Sequence, residues 1–123
     1  MVYDIEEMRE TRRPELLSRI EELLLLVVGE LGDRAYGVPI RRRLAKVLGR
    51  NLSVGAVYVP LERLVGQGLL AAEAGDPTPV RGGRRKRFYR LTAKGLRALR
   101  HTRRVTESAY AALARAGSGA DAG

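Results

Sequence analysis

The sequence predicts a small α+β fold, mostly α. Three features predict it: apolar residues at three- and four-residue steps in four separate stretches, two short strand-like runs at 69–73 and 87–91, and a Pro/Gly/Arg-rich connection between them. At 123 residues the chain suits one compact domain, and 45% apolar residues can fill its core.

Asp4 followed three residues later by Glu7 is a capping-box pattern that opens a short acidic helix within residues 1–14. It should end near Arg13, because Pro14 disfavours helical geometry in its predecessor. Pro14 then suits the start of a second helix, from Glu15, in which Leu16, Ile20, Leu23, Val27 and Leu31 keep helical spacing. Leu24 to Leu26 and Val28 make its middle apolar on nearly every side, so it is expected to be the central buried helix. Gly32 and Asp33 stop it. After Tyr36 and Gly37 the pattern Ile40, Leu44, Val47, Leu48 runs to Gly49, with Arg41, Arg42 and Arg43 on its outer side.

Ser53 can cap the helix that follows, where Val54, Val57, Leu61 and Leu64 recur on one face and Gly55, Ala56, Val59, Glu62 and Arg63 on the other. Pro60 inside it leaves the carbonyl of Ala56 without its partner, at about 3 kcal/mol in a regular helix, and predicts a local kink. Gly66 and Gly68 end the helix. Strands over Leu69–Glu73 and Arg87–Leu91 follow, joined by a connection too irregular for a two-residue hairpin, which is the candidate wing. Thr92 can cap a last helix from Ala93 to about Ala114, striped with Leu96, Leu99, Thr102, Thr106, Tyr110 and Leu113. This order describes a winged helix-turn-helix with an N-terminal helix extension and a long C-terminal dimerisation helix. The expected divisions are 1–14 for the acidic helix, 15–92 for the winged unit, 93–115 for the dimerisation helix and 116–123 for a disordered tail.

Charge suggests the partner. Residues 81–104 hold 11 of the 23 Lys and Arg and no Asp or Glu, and the formal charge is +9. Residues 1–30 carry eight acids and four bases, a net of −4, against +13 over 31–123. A basic chain with enough apolar residues for a core points to double-stranded DNA, and the acidic N-terminal segment should face something else.

Other classes find little support. Cysteine is absent, which excludes disulfides, thiolate catalysis and Cys-based zinc sites. The longest apolar run, Leu23 to Val28, is far short of the roughly 20 residues of a membrane span, and MVYDIEEMRE lacks signal-peptide order, so a soluble, cytoplasmic chain without a membrane partner is expected. His101 is the single histidine, set among arginines, and makes neither a zinc site nor a triad. Glu6-Glu7 and Glu21-Glu22 diverge on a helix, and no phosphate-binding loop or dinucleotide fingerprint is present. The chain reads as a non-enzyme without cofactor or metal.

A major-groove helix needs small residues where its backbone nears phosphate, donors at its N-terminus and a firm apolar back. The helix from Ser53 has all three. Ser53 and the first-turn amides can hold a phosphate, Gly55 and Ala56 permit close approach, Tyr58 offers a hydroxyl, and Arg63 lies further along. In the wing, Arg81, Arg84, Arg85, Lys86 and Arg87 accompany Gly82 and Gly83, so a flexible tip can cross phosphates into the minor groove. Arg97, Arg100, Arg103 and Arg104 fit the wet face of the last helix or a pairing with the acidic segment of a partner subunit. Apolar stripes carrying Leu16, Ile20, Leu96, Leu99, Thr106, Tyr110 and Leu113 are the candidate dimer contacts.

The motifs AYGVPIRRRL (35–44), LSVGAVYVPLERLVGQGLL (52–70) and GGRRKRFYRLTAKGLRAL (82–99) resemble the PadR family of bacterial transcriptional regulators across roughly residues 16–100. They match its Tyr-Gly opening of the second helix, which adds Tyr36 to the expected DNA contacts, its Ser-x-Gly-x-x-Tyr recognition helix, and its wing strand ending in Tyr-x-Leu-Thr-x-x-Gly. The resemblance implies a homodimeric winged-helix repressor joined through its terminal helices, in some members tuned by small aromatic or drug-like effectors. This chain departs from many members by placing Val59 between Tyr58 and Pro60, and its C-terminal segment, a single helix, is short beside theirs and resembles that of members with a minimal one. A module binding structured RNA or a ribonucleoprotein is the alternative, and a protein adaptor a third. RNA readers of single strands usually add exposed aromatics, and five Tyr and one Phe, mostly core-like in position, do not favour that choice.

Overall fold

The computed structural model describes residues 15–75 and 86–117 in full and the backbone of residues 118–120. Within the described residues, four helices and a two-stranded sheet surround one core: α1 (Arg19–Leu31), α2 (Gly37–Leu48), α3 (Val54–Gly66), β1 (Leu70–Ala74), β2 (Arg87–Leu91) and α4 (Ala93–Ala120), with a short 3-10 turn at Gly32–Arg34 between α1 and α2. The capping box at Asp4 and Glu7 and its acidic helix lie outside the described residues.

Helix α1 starts four residues later than the pattern from Glu15 suggests. Ser18, not Pro14, opens it: the Ser18 hydroxyl accepts from the Glu21 amide, while the Glu21 carboxylate accepts from the Ser18 amide at 2.7 Å. This reciprocal pair satisfies two otherwise orphaned N–H groups and defines the start more strongly than a proline can. The extended residues before it still carry a core side chain, Leu17, whose backbone N–H donates to the buried Thr102 hydroxyl on α4 at 3.0 Å. Leu24, Leu25, Val27 and Val28 fill the centre of the molecule, but Leu26 stays 51% exposed, so α1 is buried on one broad face and not all round.

Helix α2 buries Ile40 and Leu44 and ends at Gly49, whose left-handed backbone (φ 73) closes the cap without a Cβ penalty. Its arginine run is divided: Arg43 reaches Glu30 on α1 at 2.6 Å, while Arg42 is exposed. Helix α3 runs unbroken through Pro60, which is itself buried beside Val57, Leu61 and Leu64. Val54, placed with that apolar face by periodicity, is instead 53% exposed, because the first turn projects beyond the core.

The strands pair antiparallel, Leu70 opposite Leu91 through Ala74 opposite Arg87, one residue along from the predicted first strand. A bridge between Tyr36 and Phe88, with the Tyr89 amide donating to the Ala35 carbonyl at 2.8 Å, adds the segment before α2 as a third edge. Thr92 caps α4 as expected: its hydroxyl accepts from the Gly95 amide at 3.0 Å and lies 2.7 Å from the Gly68 carbonyl. Gly95 sits so close to β1 that any Cβ there would run into the Leu69 carbonyl oxygen.

Helix α4 is 28 residues long and continues past Ala114 to Ala120, so residues 116–120 of the expected disordered tail are helical. A helix nucleated and packed at its N-terminal half propagates readily through the alanines at 111, 112, 114 and 116, and then carries the two glycines that follow. Ala98, Leu99 and Thr102 of α4 lie in the same core as α1. The winged unit and the proposed dimerisation helix are therefore packed together.

Candidate nucleic-acid interface

Beyond Val54, helix α3 separates its two faces as its periodicity predicts. Val57, Leu61 and Leu64 are buried, while Gly55, Ala56, Val59, Glu62 and Arg63 are exposed. Ser53 Oγ accepts from the Ala56 amide at 3.2 Å, and Ser53 and the first turn stand open to solvent. Open amides at a helix N-terminus, where the macrodipole is positive, favour an anion. Arg63 extends from the last turn as an exposed cation.

Tyr58 is turned inward. It is half-buried, and its hydroxyl lies against Gly37 at the start of α2, where a Cβ would overlap the phenol oxygen. The glycine of the Tyr-Gly pair is thus explained by the tyrosine of α3: the two motifs meet and set how closely α2 and α3 approach. Tyr36 packs edge-on to Phe88, with ring centroids 5.4 Å apart, and Lys86 Nζ sits 4.3 Å above its ring. The cation at the base of the wing is thereby held over an aromatic face, an attraction of about 0.5–1 kcal/mol at an exposed site. Arg81, Arg84 and Arg85 of the wing lie outside the described residues.

Sequence reasoning missed one connection. Glu62, on the outward face of α3, receives two hydrogen bonds from Arg87 at the start of β2, both 2.8 Å, and a third from the Tyr89 hydroxyl. Arg87, expected among the DNA-facing cations of the wing, is instead committed to this carboxylate. The Arg87 guanidinium holds the Glu62 carboxyl below its usual range, and Glu62 in turn raises Arg87. Burial first, then the hydrogen bond to Glu62, pushes the Tyr89 phenol up to about 12. A forked, planar contact of this kind fixes direction as well as distance, so it orients β2 and the root of the wing relative to α3. Its only sequence signal is opposite charge on two elements 25 residues apart, which spacing rules do not connect.

The predicted dimer residues divide. Leu16, Thr106 and Tyr110 line one groove of about 330 Å³ between the segment before α1 and the middle of α4. Leu16, Tyr110 and Leu113 are more than 60% exposed, and Leu96 is also exposed. Ile20 packs against the core at its edge, and Leu99 is buried in the chain's own core, so Leu99 is unavailable to a partner. On α4, Arg97, Arg100 and Arg104 are exposed and Arg103 pairs with Glu107 one turn on, at 2.8 Å. Among the described residues no cluster of His, Cys, Asp or Glu is arranged to hold a metal, and no helix is long and apolar enough to cross a membrane.

A three-helix core with α3 presented outward and a β-hairpin beside it defines a winged-helix DNA-binding protein. The model of the PadR-like transcriptional regulator family matches residues 24–101, well over half of the chain, and the chain belongs to that family. Among solved structures, a PadR-like transcription factor from Bacteroides fragilis is 22% identical, with 89% of this chain and 94% of that one covered and a TM-score of 0.68. A PadR family regulator from Eggerthella lenta is 30% identical over 79% of each chain, with a TM-score of 0.55. Another, from Clostridium difficile, is 23% identical and covers 80% of this chain and 97% of its own, with a TM-score of 0.62. No curated protein sequence matches the chain. The protein is a DNA-binding transcriptional regulator in fold and family.

Proposed function

We propose that the chain acts as a homodimeric repressor that binds a palindromic operator and blocks transcription by occupying it. Each subunit would place α3 in a major groove, with half-sites about 34–36 Å apart, and Arg84, Arg85 and Lys86 of the wing on flanking phosphates. The observation that carries this reading is the outward face of α3, whose Ser53, Gly55, Ala56 and Arg63 stand clear of the chain while the opposite face is locked into the core. In this reading Tyr36 and Tyr58 act mainly by holding the base of the wing and the N-terminus of α2 against that helix. The exposed Leu16, Leu96, Tyr110 and Leu113 supply the apolar contact between subunits, where burial would remove them from water at about 25 cal/mol per Å². A small aromatic or drug-like effector would act at that contact, where Tyr110 is the aromatic side chain present.

Selection from random duplexes with the purified full chain, together with its mass in solution, tests this reading. The expected result is a dimer that enriches a two-fold symmetric site. A monomer with equal affinity for every duplex would overturn it.

A further inference from the structure

The centre line of the outward face of α3 runs through Gly55, Val59 and Glu62 at helical steps. Gly55 has no side chain, and Glu62 is occupied by Arg87 and Tyr89. Val59 is left as the one free side chain on that line, and it is 58% exposed. A helix that reads bases by hydrogen bonds presents Arg, Lys, Asn, Gln or a free carboxylate at such a position. Here the carboxylate that would accept from a cytosine amino group is already bonded to Arg87 and Tyr89, and the exposed side chain one turn before it is a branched apolar group.

The surroundings match a duplex. The amides of Val54 and Gly55 lie at one end of α3, ahead of the Ala56 amide that Ser53 caps, and the exposed cation Arg63 lies toward the other, so both flanks of Val59 suit phosphate, while Gly55 and Ala56 let the helix backbone come close. The apolar feature of the major groove is the C5-methyl of thymine.

We propose that Val59 is a specificity-determining residue that packs against a thymine C5-methyl in each half-site, with Arg63 as the flanking polar contact. This rests on α3 being the major-groove helix. The Glu62–Arg87–Tyr89 contact serves the readout indirectly, by keeping a carboxylate from competing beside Val59 and by fixing the start of β2 against α3.

The test uses the full chain and the duplex it selects. Each thymine is replaced singly by deoxyuridine, which removes the methyl and leaves base pairing intact. Substitution at one thymine per half-site should weaken binding roughly three- to fivefold, the effect of one methylene-sized group. Val59→Ala should abolish the thymine–deoxyuridine difference and keep the wild-type salt dependence, whereas Val59→Ile should retain the difference. Wild-type binding that is indifferent to deoxyuridine at every position, or a difference that survives in Val59→Ala, would overturn the proposal while leaving α3 as the reading helix. Selection of no duplex above random DNA would overturn both.

Discussion

Glu62 receives a forked guanidinium and a buried phenol at once, and those two partners define opposite pH limits. Its carboxyl is held below 4.5, so the stabilisation is present above that pH and lost as the pH falls through the depressed value. The pair is half-exposed, which keeps its contribution to about 1 kcal/mol or less. The stability difference between wild type and Glu62→Gln should therefore shrink below pH 4.5, as read by denaturant midpoints at stepped pH. Tyr89 has the opposite sign. Its raised value favours the neutral phenol, so its contribution is complete below pH 10 and lost as the pH rises through about 12. At pH 11, tyrosinate absorbance of wild type and Tyr89→Phe should be nearly equal; a clear excess in wild type would show that the phenol is not held. At Gly37 the effect is steric. A methyl group there meets the Tyr58 hydroxyl, and Gly37→Ala should cost about 1–3 kcal/mol by denaturation, partly recovered by Tyr58→Phe.

Between elements, the segment before α1 is held to α4 by one hydrogen bond inside the core. Thr102 accepts from the Leu17 amide, and both residues are buried, so loss of the hydroxyl leaves that amide without its protein partner. Thr102→Val should cost about 1–3 kcal/mol in the denaturant midpoint, while Thr102→Ser should stay close to wild type. The element order, the two faces of α3, the Thr92 cap and the limits of β2 were legible because each depends on residues within one or two turns. The start of α1 is ambiguous in sequence because Pro14 and the Ser18–Glu21 box both signal a helix start, and the box prevails because it satisfies more backbone groups. The end of α4 lies beyond its sequence signal because glycine weakens a helix only locally, whereas this one is already propagated from a packed half.

For the whole molecule, the basic run at 81–104 divides by position. Arg84 and Arg85 belong to the proposed wing, Arg87 is tied to Glu62, and Arg97, Arg100 and Arg104 lie on the outer side of α4. Charge reversal at Arg84 and Arg85 should weaken binding to all duplexes alike and make the dependence of log affinity on log salt about two units shallower. An unchanged affinity and slope would remove the wing from the interface.

Sequence by itself determined the helical core, the outward face of α3 and the family, since caps, periodicity and short motifs are local properties of the chain. Only the tertiary structure decided which of those outward groups are free. It committed Glu62 to Arg87, turned Tyr58 onto Gly37 and buried Leu99 in the core. Such contacts join residues from about 20 to 85 positions apart, and a side chain's availability is set by whatever the fold brings against it.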